Sequence, residues 1–305
     1  LELSLEIIEY VARAPQLEGW QGFGLAVQPY QKRTLDVIRY LIALAQSSGR
    51  RLNVRLVKGA YWDSEIRRSQ ERGLSGYPVF TRKSATDVSY IACATRLLST
   101  PDAVYCAFAT HNCRTVATIL ELVRGARGGR RNGSPDVRFE FQKLLGMGDA
   151  LYDAVLAEHA VPLRVYAPVG SFKELLPYLV RRMLENGPNT SFVHQIADPG
   201  VPIAQLVADP LATLPEPYTP DPRIPLPCDL YSDRPNSIGL DLSVQKNLAA
   251  IHAQIVANRK RGLATLETTS PASLEAMIER AARAFEPWSR RPAAQRAETL
   301  ERAAD

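Results

Sequence analysis

Five short runs rich in Val, Tyr and Phe, each followed by a longer stretch of helical periodicity, fill residues 20–186 and leave few folds open to this chain. FGLAVQPY (23–30), NVRLVKGAY (53–61), AVYCAFAT (103–110), VRFEFQKL (137–144) and LRVYAPVG (163–170) read as strands. Helices are predicted at 31–48, 82–98, 112–124, 149–158 and 171–186. Parallel strands need crossover connections, and helices supply them. The alternation is that of an α/β protein.

Such units build either an open doubly wound sheet or part of an eight-fold barrel, and the polar residues decide between them. Gln28, Arg55, Lys58, Thr110, His111, Gln142 and Tyr166 all fall in the C-terminal halves of the strands or just beyond them. A (β/α)8 TIM-type barrel collects its catalytic groups there. An open sheet gathers ligand contacts at one switch point and usually opens on a glycine-rich turn, which this sequence lacks. The expectation is five β/α units of a barrel.

The rhythm stops near residue 197, where PLATLPEPYTPDPRIPLPCDLYSDRP begins a stretch dense in proline and aspartate. Each X-Pro step disfavours helix, so 197–245 is predicted to be an extended, surface-hugging or linking segment. Helical periodicity returns at 241–259, 271–286 and 292–304. These last helices stop too soon to bury their apolar faces alone and resemble the opening of another domain. Three regions follow: 1–196, 197–245 and 246–305. The chain starts at Leu1 in a helical pattern without a methionine, which reads as an internal section of something longer.

Composition narrows the class further. With 305 residues, 46% of them hydrophobic, the chain can bury a sizeable core. It has no run of 18 apolar residues and no basic-then-apolar leader, so a cytoplasmic location is expected. Cys93, Cys106, Cys113 and Cys228 lack CxxC spacing, which points to reduced thiols and away from zinc. A net charge of +5 raises the question of nucleic acid. The densest basic run, RGARGGRR at 124–131, reads as a loop without interleaved aromatics, a weak basis for such a site.

One basic pair stands out, Arg181 and Arg182 in YLVRRMLENGPNTSFV. On a helix the two guanidiniums fan out by roughly 100°. They form either a solvated face, with Glu185 as a surface partner, or a double grip on a carboxylate. Further upstream, Thr81, Arg82 and Lys83 precede a predicted helix, so hydroxyl, cations and helix N-terminus can together hold a phosphate.

Taken together, RLVKGAYWD (55–63), ATHN (109–112), EFQKLLGMGD (140–149), VYAPVG (165–170) and LVRRMLENGPNTSFV (179–193) resemble the proline dehydrogenase family over about residues 1–245. The nearest form is bacterial and bifunctional, the proline utilization A type, in which a flavin-dependent barrel is fused to an aldehyde dehydrogenase. The resemblance implies FAD-dependent oxidation of L-proline to Δ1-pyrroline-5-carboxylate, with hydride transfer from C5 to flavin N5. It implies a quinone as electron acceptor, peripheral contact with a membrane and a homo-oligomer. DNA binding is implied only where a separate N-terminal domain supplies it. The fused dehydrogenase would use NAD to carry the hydrolysed semialdehyde to glutamate.

Residue by residue, the resemblance places Arg55 near flavin N5, where a cation stabilises the electron-rich reduced ring. Gln28 and Gln142 would bond the isoalloxazine edge or ribityl chain, though as bare glutamines they can equally satisfy one another. Lys58, Gly59, Ala60, Tyr61 and Trp62 would form a turn admitting the cofactor, with core packing as the plain alternative for the two aromatics. Thr81, Lys83, Thr110, His111 and Leu144 join the implied cofactor contacts, His111 without a proton-shuttle role. Tyr166 would wall the substrate and bond Arg182, while Arg181 and Arg182 grip the proline carboxylate. Glu185 would steer the arginines or approach the cofactor. Thr190, Ser191 and Phe192 would lie near the dinucleotide, although NGPNTS is also a plain helix-ending turn.

The chain departs from the family pattern at Leu145, where histidine is common, and at Phe80, where tyrosine is common. Barrel strands 1 to 3, with a lysine and an aspartate of the substrate pocket, are expected upstream of Leu1. The catalytic cysteine and NAD site of the second enzyme are expected beyond Asp305. Two other classes remain open on the residues alone. One is a flavin-free barrel acting on a phosphorylated or dicarboxylate substrate; the other is a basic nucleic-acid-binding or scaffold segment.

Overall fold

The computed structural model describes residues 2–128, 139–186, 200–261 and 269–304, with 126–128, 181–186, 260–261 and 304 described as backbone. The chain divides into two compact units, Leu1–Asn247 and Leu248–Asp305.

The first unit is built on β1 (Gly24–Val27), β2 (Leu52–Val57), β3 (Val104–Ala109), β4 (Phe139–Leu144) and β5 (Leu163–Tyr166). All neighbours are parallel and the spatial order is the sequence order, β1-β2-β3-β4-β5, with no reversal. Its helices are α1 (Glu2–Ala12), α2 (Thr34–Ser48), α3 (Trp62–Glu71), α4 (Lys83–Leu98), α5 (Cys113–Gly128), α6 (Asp149–Glu158) and α7 (Phe172–Asn186). All five predicted strands and the helices after them are present. β1 and β5 run shorter than predicted because backbone chemistry stops them. β1 and β5 end just before Pro29 and Pro168, which offer no N–H to a ladder.

Alternation along the strands gives the sheet two unlike faces. One carries the rows Leu25–Val54–Cys106–Phe139 and Val27–Leu56–Phe108–Phe141–Leu163. These pack with Ile38 and Leu41 of α2, Tyr90 and Leu97 of α4, and Val116 and Ile119 of α5 into the main core. Phe108, Phe139, Phe141 and Tyr152 meet there with ring centroids 5.4–6.4 Å apart. Each such pair contributes about 0.5–1.5 kcal/mol beyond its buried area. Because α4 packs against both α2 and α5, successive crossovers lie on one side. A doubly wound sheet would have split them between two faces. The second face carries Asn53, Arg55, Tyr105, Glu140, Gln142, Arg164 and Tyr166.

Two sequence readings are corrected. Helix α3 was not anticipated, because WDSEIRRSQE is strongly polar and holds only two apolar residues, Trp62 and Ile66, one turn apart, too few to stand out as a stripe. The basic run 124–131 begins as helix: α5 continues to Gly128, with Arg124 paired to Glu121 one turn earlier. Residues 129–131 lie outside the described residues.

The proline-rich segment, with a short α8 (Ile203–Leu206), lies along this unit and is bonded to it repeatedly. Arg114 Nη1 donates to Ala208 O at 2.6 Å, Arg82 Nε to Thr219 O at 2.7 Å and Arg82 Nη2 to Pro220 O at 3.1 Å. Asp221 N donates to Thr81 Oγ1 at 2.9 Å, and Tyr77 OH to Pro225 O at 2.6 Å. Further on, Gly239 N reaches Gly73 O at 2.9 Å. Gly73 is required there: its φ is +56°, and a Cβ would lie 1.9 Å from Ser237 O.

In the C-terminal part, α9 (Gln245–Arg261), α10 (Pro271–Ser289) and α11 (Ala293–Ala304) match the returning periodicity. Ser270 caps α10 by accepting from Ser273 N at 3.1 Å, with Pro271 at the first helical position. None of the described residues from 248 onward is buried, and Leu274, Met277, Ile278 and Phe285 are exposed. Among the described residues of the whole chain, no helix is long and apolar enough to cross a membrane.

Candidate active site

The polar face of the sheet holds a continuous chain of hydrogen bonds. Arg55 of β2 donates from Nε to Gln142 Oε1 of β4 at 2.8 Å. It can reach across β3 because the residues of β3 in register on that face are Ala107 and Ala109. From Nη2 it donates to Tyr166 OH at 3.4 Å, and its guanidinium carbon lies 5.5 Å from the Tyr166 ring centre. Arg55, Gln142 and Tyr166, distant in sequence, thus converge at the C-terminal side of the sheet.

Beneath them lies Glu140, buried on the same face and two residues before Gln142. Gln142 Nε2 donates to Glu140 Oε1 at 2.6 Å. Arg164 of β5 grips the same carboxylate with both arms, Nε to Oε1 at 2.7 Å and Nη2 to Oε2 at 2.8 Å, and Tyr105 OH donates to Oε2 at 3.3 Å. Burial would raise the Glu140 pKa, but these donors and the Arg164 charge outweigh it and hold the carboxyl below its ordinary value. The Glu140 side chain is 6% exposed and that of Arg164 64%. The fork therefore closes the outer side of an otherwise buried carboxylate.

A second cluster lies just past the ends of β2 and β3. Lys58 forms an ion pair with Asp87 of α4 and stands 6.0 Å from the Tyr90 ring centre. Arg114 Nη2, at the start of α5, lies 3.9 Å from the other Asp87 oxygen. Burial lowers the Lys58 pKa; Asp87 opposes this, while Lys83 and Arg114 add to it. Lys58 and Arg114 thus share the Asp87 carboxylate, and with Lys83 acting on Lys58 they gather positive charge beside the first turns of α4 and α5, an arrangement able to accept an anion.

The other predicted residues take identifiable places. Gly59 has φ +129°, and a Cβ there would lie 2.3 Å from the Tyr30 ring. The loop Lys58–Gly59–Ala60–Tyr61 can therefore turn beneath Tyr30 only through a glycine. Tyr61 is exposed, whereas Trp62 donates Nε1–H to Phe80 O at 2.7 Å and packs on Tyr30, Ile66, Tyr77 and Val79. Thr110 is buried, its carbonyl accepting from Tyr152 OH at 2.7 Å and its Oγ1 from Asn112 N at 3.1 Å. His111 Nε2 accepts from Leu144 N at 3.2 Å, tying the end of β3 to the end of β4. Gln28 lies just past β1, where its carbonyl accepts from Thr34 Oγ1 at 2.7 Å; Gln142 does not satisfy it. Thr81 is held by the proline-rich segment, and Lys83 starts α4 beside the Lys58 cluster.

Arg181, Arg182 and Glu185 lie on α7, the helix that follows Tyr166 and β5, and their side chains lie outside the described residues. Thr190, Ser191 and Phe192 also lie outside them. Sequence reasoning missed Glu140, Arg164, Tyr105, Asp87 and Arg114. The signal for the first two was present: Glu140–Gln142 and Arg164–Tyr166 each keep the two-residue spacing of one strand face. Asp87 stands one helical turn after Lys83, and Arg114 two residues after the ATHN motif.

Comparison with known proteins covers the stretch of chain that holds these residues. A family model described as proline dehydrogenase matches residues 1–195. The bifunctional protein PutA of Klebsiella aerogenes is 50% identical over 269 residues, covering 84% of this chain and 20% of that protein. Human mitochondrial proline dehydrogenase 1 is 32% identical over 162 residues, covering 52% of this chain and 26% of that protein. A solved structure of a variant of Bradyrhizobium japonicum proline utilization A superposes with a TM-score of 0.78 at 48% identity, covering 99% of this chain and 30% of that one. This chain spans about a fifth of the length of the bifunctional relatives it matches.

Proposed function

The chain belongs to the proline dehydrogenase family, and from that premise we propose that it supplies most of a flavin-dependent site oxidising L-proline to Δ1-pyrroline-5-carboxylate. The observation that carries this reading is Arg55, fixed between Gln142 Oε1 and Tyr166 OH at the strand ends. A planar cation locked by an acceptor on each side suits an electron-rich ring.

The residues present fit FAD in two respects. The Arg55–Gln142 pair offers charge and an amide to a heterocycle, and Lys58, Lys83 and Arg114 exceed the charge of Asp87, as a pyrophosphate would require. When bound, flavin supplies the two-electron acceptor that takes hydride from C5 of proline and passes the electrons to a quinone. The chain's own residues bind and orient. Arg181 and Arg182 hold the proline carboxylate, Tyr166 bounds one side of the substrate, and Arg55 places positive charge where electron density accumulates. Loss of hydride from C5 of proline in its neutral-amine form, with the nitrogen lone pair forming the C=N bond, gives a cyclic iminium, and loss of its N–H proton gives the imine.

We further infer that in the whole protein the sheet closes into an eight-stranded barrel. Its sequential order, one-sided helix layer and polar second face support this. β1 is hydrogen-bonded only to β2 and β5 only to β4 among the described residues, leaving two edges for further strands. The helices after residue 245 fit the opening of an NAD-dependent dehydrogenase that takes the hydrolysed semialdehyde to glutamate. Cytoplasmic location, peripheral membrane contact and self-association belong to the same proposal.

The full-length protein tests the reading directly. It should absorb at about 450 nm and bleach on addition of L-proline. A protein that stays colourless in excess FAD, or holds flavin that proline does not reduce, would overturn it.

A further inference from the structure

We propose that Glu140 is a positioning residue for Arg55, acting through the side-chain amide of Gln142. The proposal rests on the flavin-site reading of Arg55, and the geometry beneath that residue carries it further. An amide has a donor end and an acceptor end, and either can face a neighbour after a half-turn. In Gln142 the acceptor end must face Arg55, because a guanidinium only donates. Glu140 enforces this. Its carboxylate only accepts, so the NH2 end of Gln142 turns to it at 2.6 Å and Oε1 is left facing Arg55 Nε at 2.8 Å. The reversed amide would set carbonyl oxygen against carboxylate and NH2 against guanidinium, two repulsions from a single flip.

Glu140 is itself fixed from the other side. Arg164 forks onto both oxygens and Tyr105 OH donates to Oε2, so the carboxylate cannot rotate away. The same donors hold its pKa below the ordinary value, so it remains an acceptor at neutral pH. The order runs from Arg164 through Glu140 and Gln142 to Arg55 and Tyr166, linking β5, β4 and β2 on one face of the sheet. Glu140 reaches Arg55 only through the amide. Its role is orientation: an acceptor atom at the Glu140 Oε1 position is what matters, and its full charge is not.

The test uses the full-length, flavin-loaded protein with Glu140→Met, Glu140→Gln, Gln142→Met and the double variant Glu140→Met/Gln142→Met. Glutamine keeps an oxygen for Gln142, whereas methionine fills the volume and accepts nothing. Glu140→Met should lose about tenfold in kcat with little change in KM for proline, and should lower the flavin midpoint potential as Arg55 loosens. Glu140→Gln should stay within about twofold of the parent in both readouts. In the Gln142→Met background, adding Glu140→Met should change kcat by less than about twofold, since the amide it orients is gone.

Equal losses in Glu140→Gln and Glu140→Met, or a tenfold loss that persists without Gln142, would overturn the proposal. So would an unchanged midpoint potential in Glu140→Met alongside a lower Tm, which marks a structural carboxylate only. Should Glu140→Met not fold, Glu140→Gln decides: parent-like kcat and potential support orientation, and a tenfold loss overturns it. A parent protein without proline-reducible flavin would refute the functional reading instead, before any variant is compared.

Discussion

Arg55 and Gln142 stand on strands that do not touch, yet their side chains meet at 2.8 Å across the intervening β3. The small side chains of Ala107 and Ala109 make that crossing possible, and the bond fixes a cation on the face where the substrate site is proposed. Replacing Arg55 with Met in the flavin-loaded full-length protein is expected to reduce proline-dependent flavin reduction by about 10²–10³-fold. Stopped-flow absorbance checks this, with the visible spectrum of the variant confirming that flavin is still held.

The arginine pair on α7 is expected to act on substrate and not on cofactor. Arg181→Met and Arg182→Met should each weaken proline binding by about 1.5–3 kcal/mol, the worth of a hydrogen bond to a charged group. Steady-state KM and a proline titration of flavin reduction measure it. Unchanged kinetics in both variants would return the pair to a solvated helix face.

Gly59 sets the geometry of the loop that carries Lys58. Gly59→Ala places a Cβ against the Tyr30 ring in a backbone region where side chains are rare. The backbone conformation alone costs about 1–3 kcal/mol. A lower Tm together with less flavin per protein is expected. Full flavin content at the parent Tm would show that the loop relaxes freely.

The aromatic cluster on the other face separates stability from chemistry. Phe141→Ala should destabilise the protein by about 3–5 kcal/mol, because Phe141 is fully buried among Phe108, Phe139 and Tyr152. Denaturant unfolding reads the loss. Turnover per bound flavin should stay near that of the parent.

How much of this was legible in the sequence follows from which residues repeat. The strands announced themselves because one face is Val, Leu and Phe at every second position, and the helices α2, α4 and α5 because apolar residues return every turn. Arg55, Gln142 and Tyr166 could be named from their places at strand ends. Their mutual contact could not, since it depends on register between strands that share no sequence signal. Helix α3 escaped for the opposite reason: its apolar side is only Trp62 and Ile66, too short a repeat to read in so polar a segment. Thr81 and Arg82 read locally as part of a helix start able to hold a phosphate, and their bonds to residues 219–221, some 140 positions away, had no signal in the sequence.

Glu140 also predicts an acid response. Its folded pKa lies below the ordinary carboxylate value of 4.5, so the unfolded chain takes up the proton first. The stability it contributes is therefore present at neutral pH and is lost as pH falls through 4.5 and below. The stability difference between the parent and Glu140→Gln should be constant near neutrality and shrink in that acid window. A difference that grows on acidification would reverse the sign and refute the assignment.

The proline-rich segment changes where this domain can be cut. The family match stops at residue 195, but the compact unit runs to Asn247. A fragment ended at the family limit would leave Tyr77 OH, Thr81 Oγ1 and the guanidiniums of Arg82 and Arg114 without the partners they have between residues 208 and 225. Arg114 also belongs to the cation cluster at Asp87, so trimming the strap would disturb the proposed anion-binding end of the site from outside. Homology and physical integrity thus draw different boundaries, and for anyone preparing the isolated domain the second is the one that keeps the protein whole.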